Sequence, residues 1–349
     1  MSSPPSRTAF VLIPRFNMLA LAATIEPMRM ANYFASQPLY EWEFRSVEGG
    51  PIIASNGMSQ DSVPLSSPGG PWETIFVCGS WDSERFEDPS LFRWLRAMDR
   101  RGSTLAAMCI GAYVLARAGL LDGAEATLHW SFIPGFAERF PKVALREQLF
   151  TIDRKRLTCA GSTTGLDLML HVISRNHGQQ FALAIADLIL HNPVRAPETS
   201  QRHSLGGQNP ELHPKVRAAV ALMESNVEEP LGVPEIARRV DLSQRQLERL
   251  VRKDMDCSVV QLNKVLRLQY ARVLLTNTRM SIREVSVACG FNSMSYFSRS
   301  FLRRFQKKPS DYRRAWPDSE PAPKWPGTIV STMHPRSKMR RDLAPSPPT

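Results

Sequence analysis

The sequence predicts an α/β domain with a mainly parallel sheet, followed by an all-α module that holds two helix-turn-helix units. Two observations carry this. Short apolar runs alternate with helical stretches over residues 8–195, the pattern of a sheet with crossover helices. From residue 214 only helical periodicity remains, and the same cap-and-turn signals punctuate it twice.

In the first part, Thr8–Ile13 is an apolar run closed by Pro14 and reads as a strand, and Leu19–Ala35 is helical in character. Trp42–Val47 and Thr74–Cys78 read as strands, Leu91–Arg101 as a helix, Thr104–Met108 as a strand and Ile110–Ala118 as a helix. Leu157–Cys159 leads into a helix over Gly165–Ser174, and Phe181–Leu190 forms another. Residues 104–121 are the most apolar long stretch, but Arg117 and glycines interrupt it, so it reads as strand plus helix rather than a membrane span. Residues 196–213 are polar and rich in Gly, Pro and Ser, the composition of a linker. Residues 1–7 are expected to be disordered, as is the basic, Pro-rich tail 318–349, which has too few apolar side chains to order itself.

In the second part, 214–317, Pro234 suits the first turn of a helix, and Ile236, Ala237 and Val240 share one face. Asp241-Leu242 make the turn, and Ser243 with Gln246 has capping-box spacing. The following helix buries Leu247, Leu250 and Val251 and leaves Arg245, Arg249 and Arg252 outside. The second unit repeats this: Ser281 with Glu284, Val285 and Ala288 inward, Gly290 to end the helix, and Ser293 to cap the next. Phe297, Phe301 and Phe305 form its buried stripe; Ser295, Arg299 and Arg303 line the outer face, with Tyr296 at the edge. Between the units, Leu262, Val265, Leu266, Tyr270, Val273 and Leu274 mark one long connecting helix.

Charge follows the same division. Residues 214–317 hold 20 Lys and Arg against 10 Asp and Glu, whereas residues 1–213 hold 19 against 20. Basic charge alone is a weak signal, but its coincidence with the paired units points to nucleic acid, since Lys and Arg on phosphates release condensed counterions. The cysteines, Cys78, Cys109, Cys159, Cys257 and Cys289, are odd in number and lack a C-x-x-C spacing, which argues against a disulfide framework or a zinc site and suits a reducing cytoplasm. The N-terminus MSSPPS has no signal-peptide pattern.

Through LSQRQLERLVRK, RLQYARVLL, SIREVSVACGFNSMSYFSRSFLRRF and PSDYRR, residues 216–314 resemble the AraC/XylS-type DNA-binding module. The resemblance implies that each recognition helix enters the major groove on adjacent turns, about 34 Å apart. It makes Arg245, Arg249, Ser295, Tyr296 and Arg299 the candidate base readers, an Arg being able to bond guanine O6 and N7 together. For each Arg a phosphate contact is the alternative, and for Tyr296 simple surface packing.

Thr104–Met108 runs straight into Cys109-Ile110-Gly111, a nucleophile at a strand-to-helix elbow whose thiol pKa a helix N-terminus is expected to lower. With His129 downstream in ATLHW and CAGSTTGLD at Cys159–Asp167, residues 8–195 resemble the PfpI-like, glutamine amidotransferase-like superfamily, and hence a flavodoxin-type sandwich. The whole chain except its tail resembles the GlxA-type transcriptional regulators. Enzymes of that superfamily carry an acid after the first strand; Arg15–Leu19 has none and Glu26 lies two turns further on. Cys109 and His129 are therefore vestigial catalytic candidates, and no catalytic set, metal or cofactor is expected. Phe16, Trp81, Cys109, Ile110, His129 and Trp130 are the candidate effector-binding residues, and Tyr40 and Trp42 are further aromatic candidates.

The resulting expectation is a cytoplasmic, nucleoid-associated homodimer that reads tandem half-sites in double-stranded DNA, engages RNA polymerase, and activates catabolic genes in response to an amino acid or quaternary amine. The alternatives are a PfpI-like cysteine hydrolase or hydratase, or a Cys109 redox sensor, fused to the DNA-binding module.

Overall fold

The computed structural model describes residues 4–35, 37–80, 82–201, 212–277 and 280–313. The chain divides into two compact units, Met1–Gln201 and Arg202–Thr349. Trp81, residues 1–3, the stretch 202–211 of the expected linker and the tail 318–349 lie outside the described residues.

The first unit runs β1 (Ser6–Leu12), α1 (Met18–Ala35), β2 (Tyr40–Ser46), β3 (Gly50–Ile53), β4 (Ser59–Pro64), β5 (Thr74–Cys78), α2 (Pro89–Arg100) and β6 (Thr104–Met108). It continues through α3 (Ala112–Arg117), β7 (Glu125–Ala126), α4 (Ile133–Arg139), β8 (Ala144–Leu145), β9 (Phe150–Asp153), β10 (Arg156–Cys159), α5 (Thr164–His177) and α6 (Gln179–Leu188). Among the described residues the main sheet has eight strands in the order β3-β4-β2-β1-β5-β6-β10-β9. Strands β4 to β10 of that order are mutually parallel, with antiparallel β3 and β9 at the edges.

Alternation along the central strands builds two cores. Ala9, Val11, Ile75, Val77, Leu105 and Ala107 point into one layer with α2 and α3. Phe10, Leu12, Phe76, Ala106 and Met108 point into the other with α1 and α5. Burial on both faces is why these strands read as continuous apolar runs. Strand β1 opens at Ser6, paired with Tyr40, so the ordered strand takes in the last two of the residues expected to be disordered. The β3–β4 hairpin escaped the sequence reading because its SQDSVP strand is polar and partly exposed. Strand β9 escaped it as a short edge strand of four residues.

The second unit holds α7 (Pro214–Ser225), α8 (Val233–Arg239), α9 (Gln244–Met255), α10 (Val259–Asn277), α11 (Ile282–Ala288), α12 (Met294–Phe305) and α13 (Pro309–Arg313). Its interior is two separate clusters. Leu262 and Leu266 of α10 join Ile236, Ala237, Leu247 and Val251. Leu268, Ala271, Leu274 and Leu275 of the same helix join Val285, Phe291, Phe297 and Phe301. One 19-residue helix, about 28 Å long at 1.5 Å per residue, thus contributes side chains to both of these clusters.

Candidate nucleic-acid interface and sensor site

Helix α9 starts at a complete capping box: the Gln246 N–H donates to Ser243 Oγ, and the Ser243 N–H donates to Gln246 Oε1 at 2.8 Å. Helix α11 starts the same way, at Ser281 and Glu284. Helix α12 is capped by Ser293, which accepts from the Tyr296 N–H at 3.3 Å. Helices α9 and α12 both end on a left-handed residue, Asp256 and Gln306. The two turns also use positive φ, at Asp241 (55°) and Gly290 (69°).

With their inner faces buried through Leu247, Val251, Phe297 and Phe301, these helices present Arg245, Arg249 and Arg252 of α9 and Ser295, Arg299 and Arg303 of α12 to solvent. Tyr296 is 47% exposed; its ring centroid lies 6.2 Å from that of Phe291, with Lys264 Nζ 6.0 Å above it. The sequence reading missed Arg267. From α10 its guanidinium donates to Cys289 O at 2.7 Å and Gly290 O at 2.6 Å, and it stacks over Phe291 at 4.2 Å. It thereby satisfies the carbonyls just past the end of α11 and fixes the turn that leads into α12.

In the first unit, the carboxyl ends of β1, β5, β6 and β10 each carry a non-glycine residue at positive φ: Arg15 (64°), Asp82 (74°), Cys109 (57°) and Ser162 (52°). Backbone strain of this kind collects at functional ends of a fold, and open parallel sheets bind ligands at this edge. Arg15 and Asp82 tie the loops after β1 and β5 together by an ion pair of 2.7 Å.

Cys109 occupies the expected elbow, in a 3-10 turn that precedes α3. Its thiol chemistry differs from the expectation. Burial pushes its pKa up to about 12, outweighing the Ile110 N–H that points at the sulfur. The residue is 5% exposed, so loss of hydration dominates over the helix end. Cys159, also pushed up by burial, is approached by the N–H groups of Gly161 and Cys109, which ties the ends of β6 and β10 together.

His129 is half-buried and burial lowers its pKa to about 4, leaving a neutral ring. Its Nδ1 lies 2.8 Å from Ser131 Oγ, and its ring lies 5.5 Å from that of Trp130 at a tilt of 31°. Phe16 and Ile110 are buried side chains. Each is sealed in a core, on opposite faces of the sheet, because the loops carrying them fold inward to complete those layers. Tyr40 starts β2 and therefore lies at the amino end of the sheet, as Trp42 nearly does. There a cavity of about 280 Å³ opens between Thr8, Thr74, Thr104, Tyr40, Glu73 and Arg175, at the opposite end from Cys109.

The described residues hold no cluster of His, Cys, Asp or Glu able to bind a metal, and no helix among them is long and apolar enough to cross a membrane.

Known proteins match this two-part arrangement along its length. A helix-turn-helix domain family matches residues 236–315, and the DJ-1/PfpI family matches residues 71–175. The HTH-type transcriptional regulator CdhR of Pseudomonas aeruginosa is 39% identical over 329 residues, 94% of this chain and 98% of that protein. The chain belongs to the HTH-type transcriptional regulators that join a DJ-1/PfpI domain to an AraC-type DNA-binding module. The regulator GbdR of Pseudomonas aeruginosa is 38% identical over 91% of this chain and 86% of its own length. GlxA of Rhizobium meliloti is 35% identical over 88% of this chain and 95% of its own length. The regulator is thus a DNA-binding protein with an AraC-type module.

Proposed function

We propose that the regulator activates catabolic genes when its first unit binds a small nitrogenous metabolite. It does so as a cytoplasmic homodimer at tandem half-sites, presenting RNA polymerase with an occupied promoter. The observation that carries the DNA half of this reading is the pair of capped, outward-facing recognition helices on one shared α10, with Arg245, Arg249, Ser295, Tyr296 and Arg299 exposed.

The sensing half rests on the carboxyl edge of the sheet. The Trp130 ring and the neutral His129 beside it suit an ammonium group, which the face of an indole attracts without needing a counter-charge. A metabolite there shifts DNA occupancy only by its differential affinity for two states, typically about 1–3 kcal/mol. The raised pKa of Cys109 speaks against the hydrolase and redox alternatives, since both chemistries begin with the thiolate.

The test is a titration of the regulator's own upstream DNA with the purified chain, with and without a panel of quaternary amines and basic amino acids. Specific binding that one compound changes supports the reading. Specific binding indifferent to the whole panel removes the proposed ligand class.

A further inference from the structure

Composition alone places Gln201 in a linker, yet its side chain is among the most heavily bonded amides described in the regulator. The two hydrogens of its Nε2 are shared among three acceptors, Thr127 Oγ1 at 3.0 Å, Leu128 O at 2.9 Å and Gln148 O at 2.7 Å. Its Oε1 accepts from the Trp130 N–H at 2.8 Å. All four groups lie on or beside one loop, the one that carries His129 and Trp130. Gln201 is the last residue of the first unit before residue 202.

The segment behind it is fastened as well. Pro197 O accepts from the Leu149 N–H at 2.9 Å. Arg195 grips Asp167, a carboxylate with no exposed surface, through Nε at 3.1 Å, a terminal nitrogen at 2.6 Å and its own backbone N–H at 2.9 Å. His191 Nε2 lies 2.9 Å from the same carboxylate. Asp167 lies in the first turn of α5, the helix that follows the strand end holding Cys159. Residues 191–201 therefore form a strap over the carboxyl edge of the sheet, anchored at Asp167 and latched at its far end to the His129–Trp130 loop.

The two anchors differ in kind. The Asp167 end joins the Arg195 guanidinium to a buried carboxylate, and breaking it leaves that carboxylate without its ion-pair partner. The Gln201 end joins uncharged groups through bonds of ordinary strength, each of which water can replace on opening. The strap therefore opens at Gln201 first.

We propose that Gln201 is the latch through which the sensor loop controls the exit of the chain toward the DNA-binding module: a change in the Thr127–Trp130 backbone withdraws the groups that hold the amide, and the strap end is released. The proposal rests on the sensing reading above, but its first test needs neither effector nor DNA.

Hydrogen exchange of the full chain is compared for wild type, Gln201→Ala and His129→Ala. His129→Ala leaves Gln201 in place and removes the ring nitrogen that holds the loop turn at Ser131. Both variants are expected to raise exchange about tenfold at the Leu149 amide, which Pro197 O protects, and over 197–201, the size expected when a net hydrogen bond or two is lost. Exchange in β1 and β5 serves as the folding control and stays unchanged. If His129→Ala leaves Leu149 and 197–201 at wild-type rates, loop and strap are uncoupled and the proposal is overturned. In a second arm, Gln201→Ala is expected to change affinity for the regulator's own upstream DNA at least threefold without any metabolite. Coupled exchange with unchanged DNA affinity would overturn the control of the module while leaving the sensing reading standing.

Discussion

The Cβ that Gly161 lacks would lie 2.6 Å from the Cβ of Cys109 and 3.1 Å from its sulfur. Gly161 also sits at φ +94°, where a side chain is strained in any case. The glycine after β10 thus lets the elbow after β6 close, and the same closure strips the thiol of water. The feature that makes Cys109 resemble a nucleophile is what holds it in the protonated form.

Cys109 is therefore expected to resist alkylation. At pH 8 iodoacetamide should modify it at least 100-fold more slowly in the native regulator than in urea, because a pKa of about 12 leaves little thiolate and the sulfur is covered. Mass spectrometry of quenched samples reads the rate. Rapid native alkylation with an apparent pKa below 8 would restore a reactive cysteine.

His129 should make the first unit acid-sensitive. Its folded-state pKa, about 4, lies below the ordinary 6.5, so the unfolded chain takes up a proton that the folded chain refuses. Stability is complete above pH 6.5 and falls as pH drops from there toward 4, by about 3 kcal/mol in total from this group. Urea midpoints at pH 7.5 and pH 5 measure the loss. His129→Gln should lose less over that interval; an equal loss would place the acid sensitivity elsewhere.

Arg267→Ala should cost about 2–3 kcal/mol, since it strands two carbonyls at the end of α11 and removes a cation from the face of Phe291. Gly290→Ala should cost a similar amount, with its Cβ 2.6 Å from Pro230 Cγ and 2.8 Å from Glu228 O at φ +69°. Thermal melts of the two variants check this. A change within 0.5 kcal/mol for both would mean the second turn is held by other groups.

Much of this was legible in the sequence, for identifiable reasons. Central strands buried on both faces, such as Thr74–Cys78 and Thr104–Met108, carry their position in unbroken apolar runs. Ser243 with Gln246 and Ser281 with Glu284 announce helix starts because the bonds they make are local. What escaped was long-range. Arg267 meets carbonyls 22 and 23 residues away, and Gln201 meets groups 53 to 74 residues away, so neither leaves a spacing to find. Phe16 and Ile110 were expected at a pocket because aromatic and apolar side chains suit both a pocket wall and a core. Only packing separates the two roles, and here both residues pack as core.

Arg249→Ala should cost about 1–3 kcal/mol of binding on the preferred DNA and relax the choice at one base pair. A uniform loss across sequences would make Arg249 a phosphate contact instead.

The most direct measurement is the affinity of the full chain for its own upstream DNA against a scrambled duplex of the same length, from 50 to 200 mM salt. Two recognition helices on a module with 20 Lys and Arg against 10 Asp and Glu predict at least a 1000-fold preference for one site and a steep fall in affinity with salt. Equal binding to both duplexes, or a flat salt profile, would contradict sequence-specific recognition by these helices.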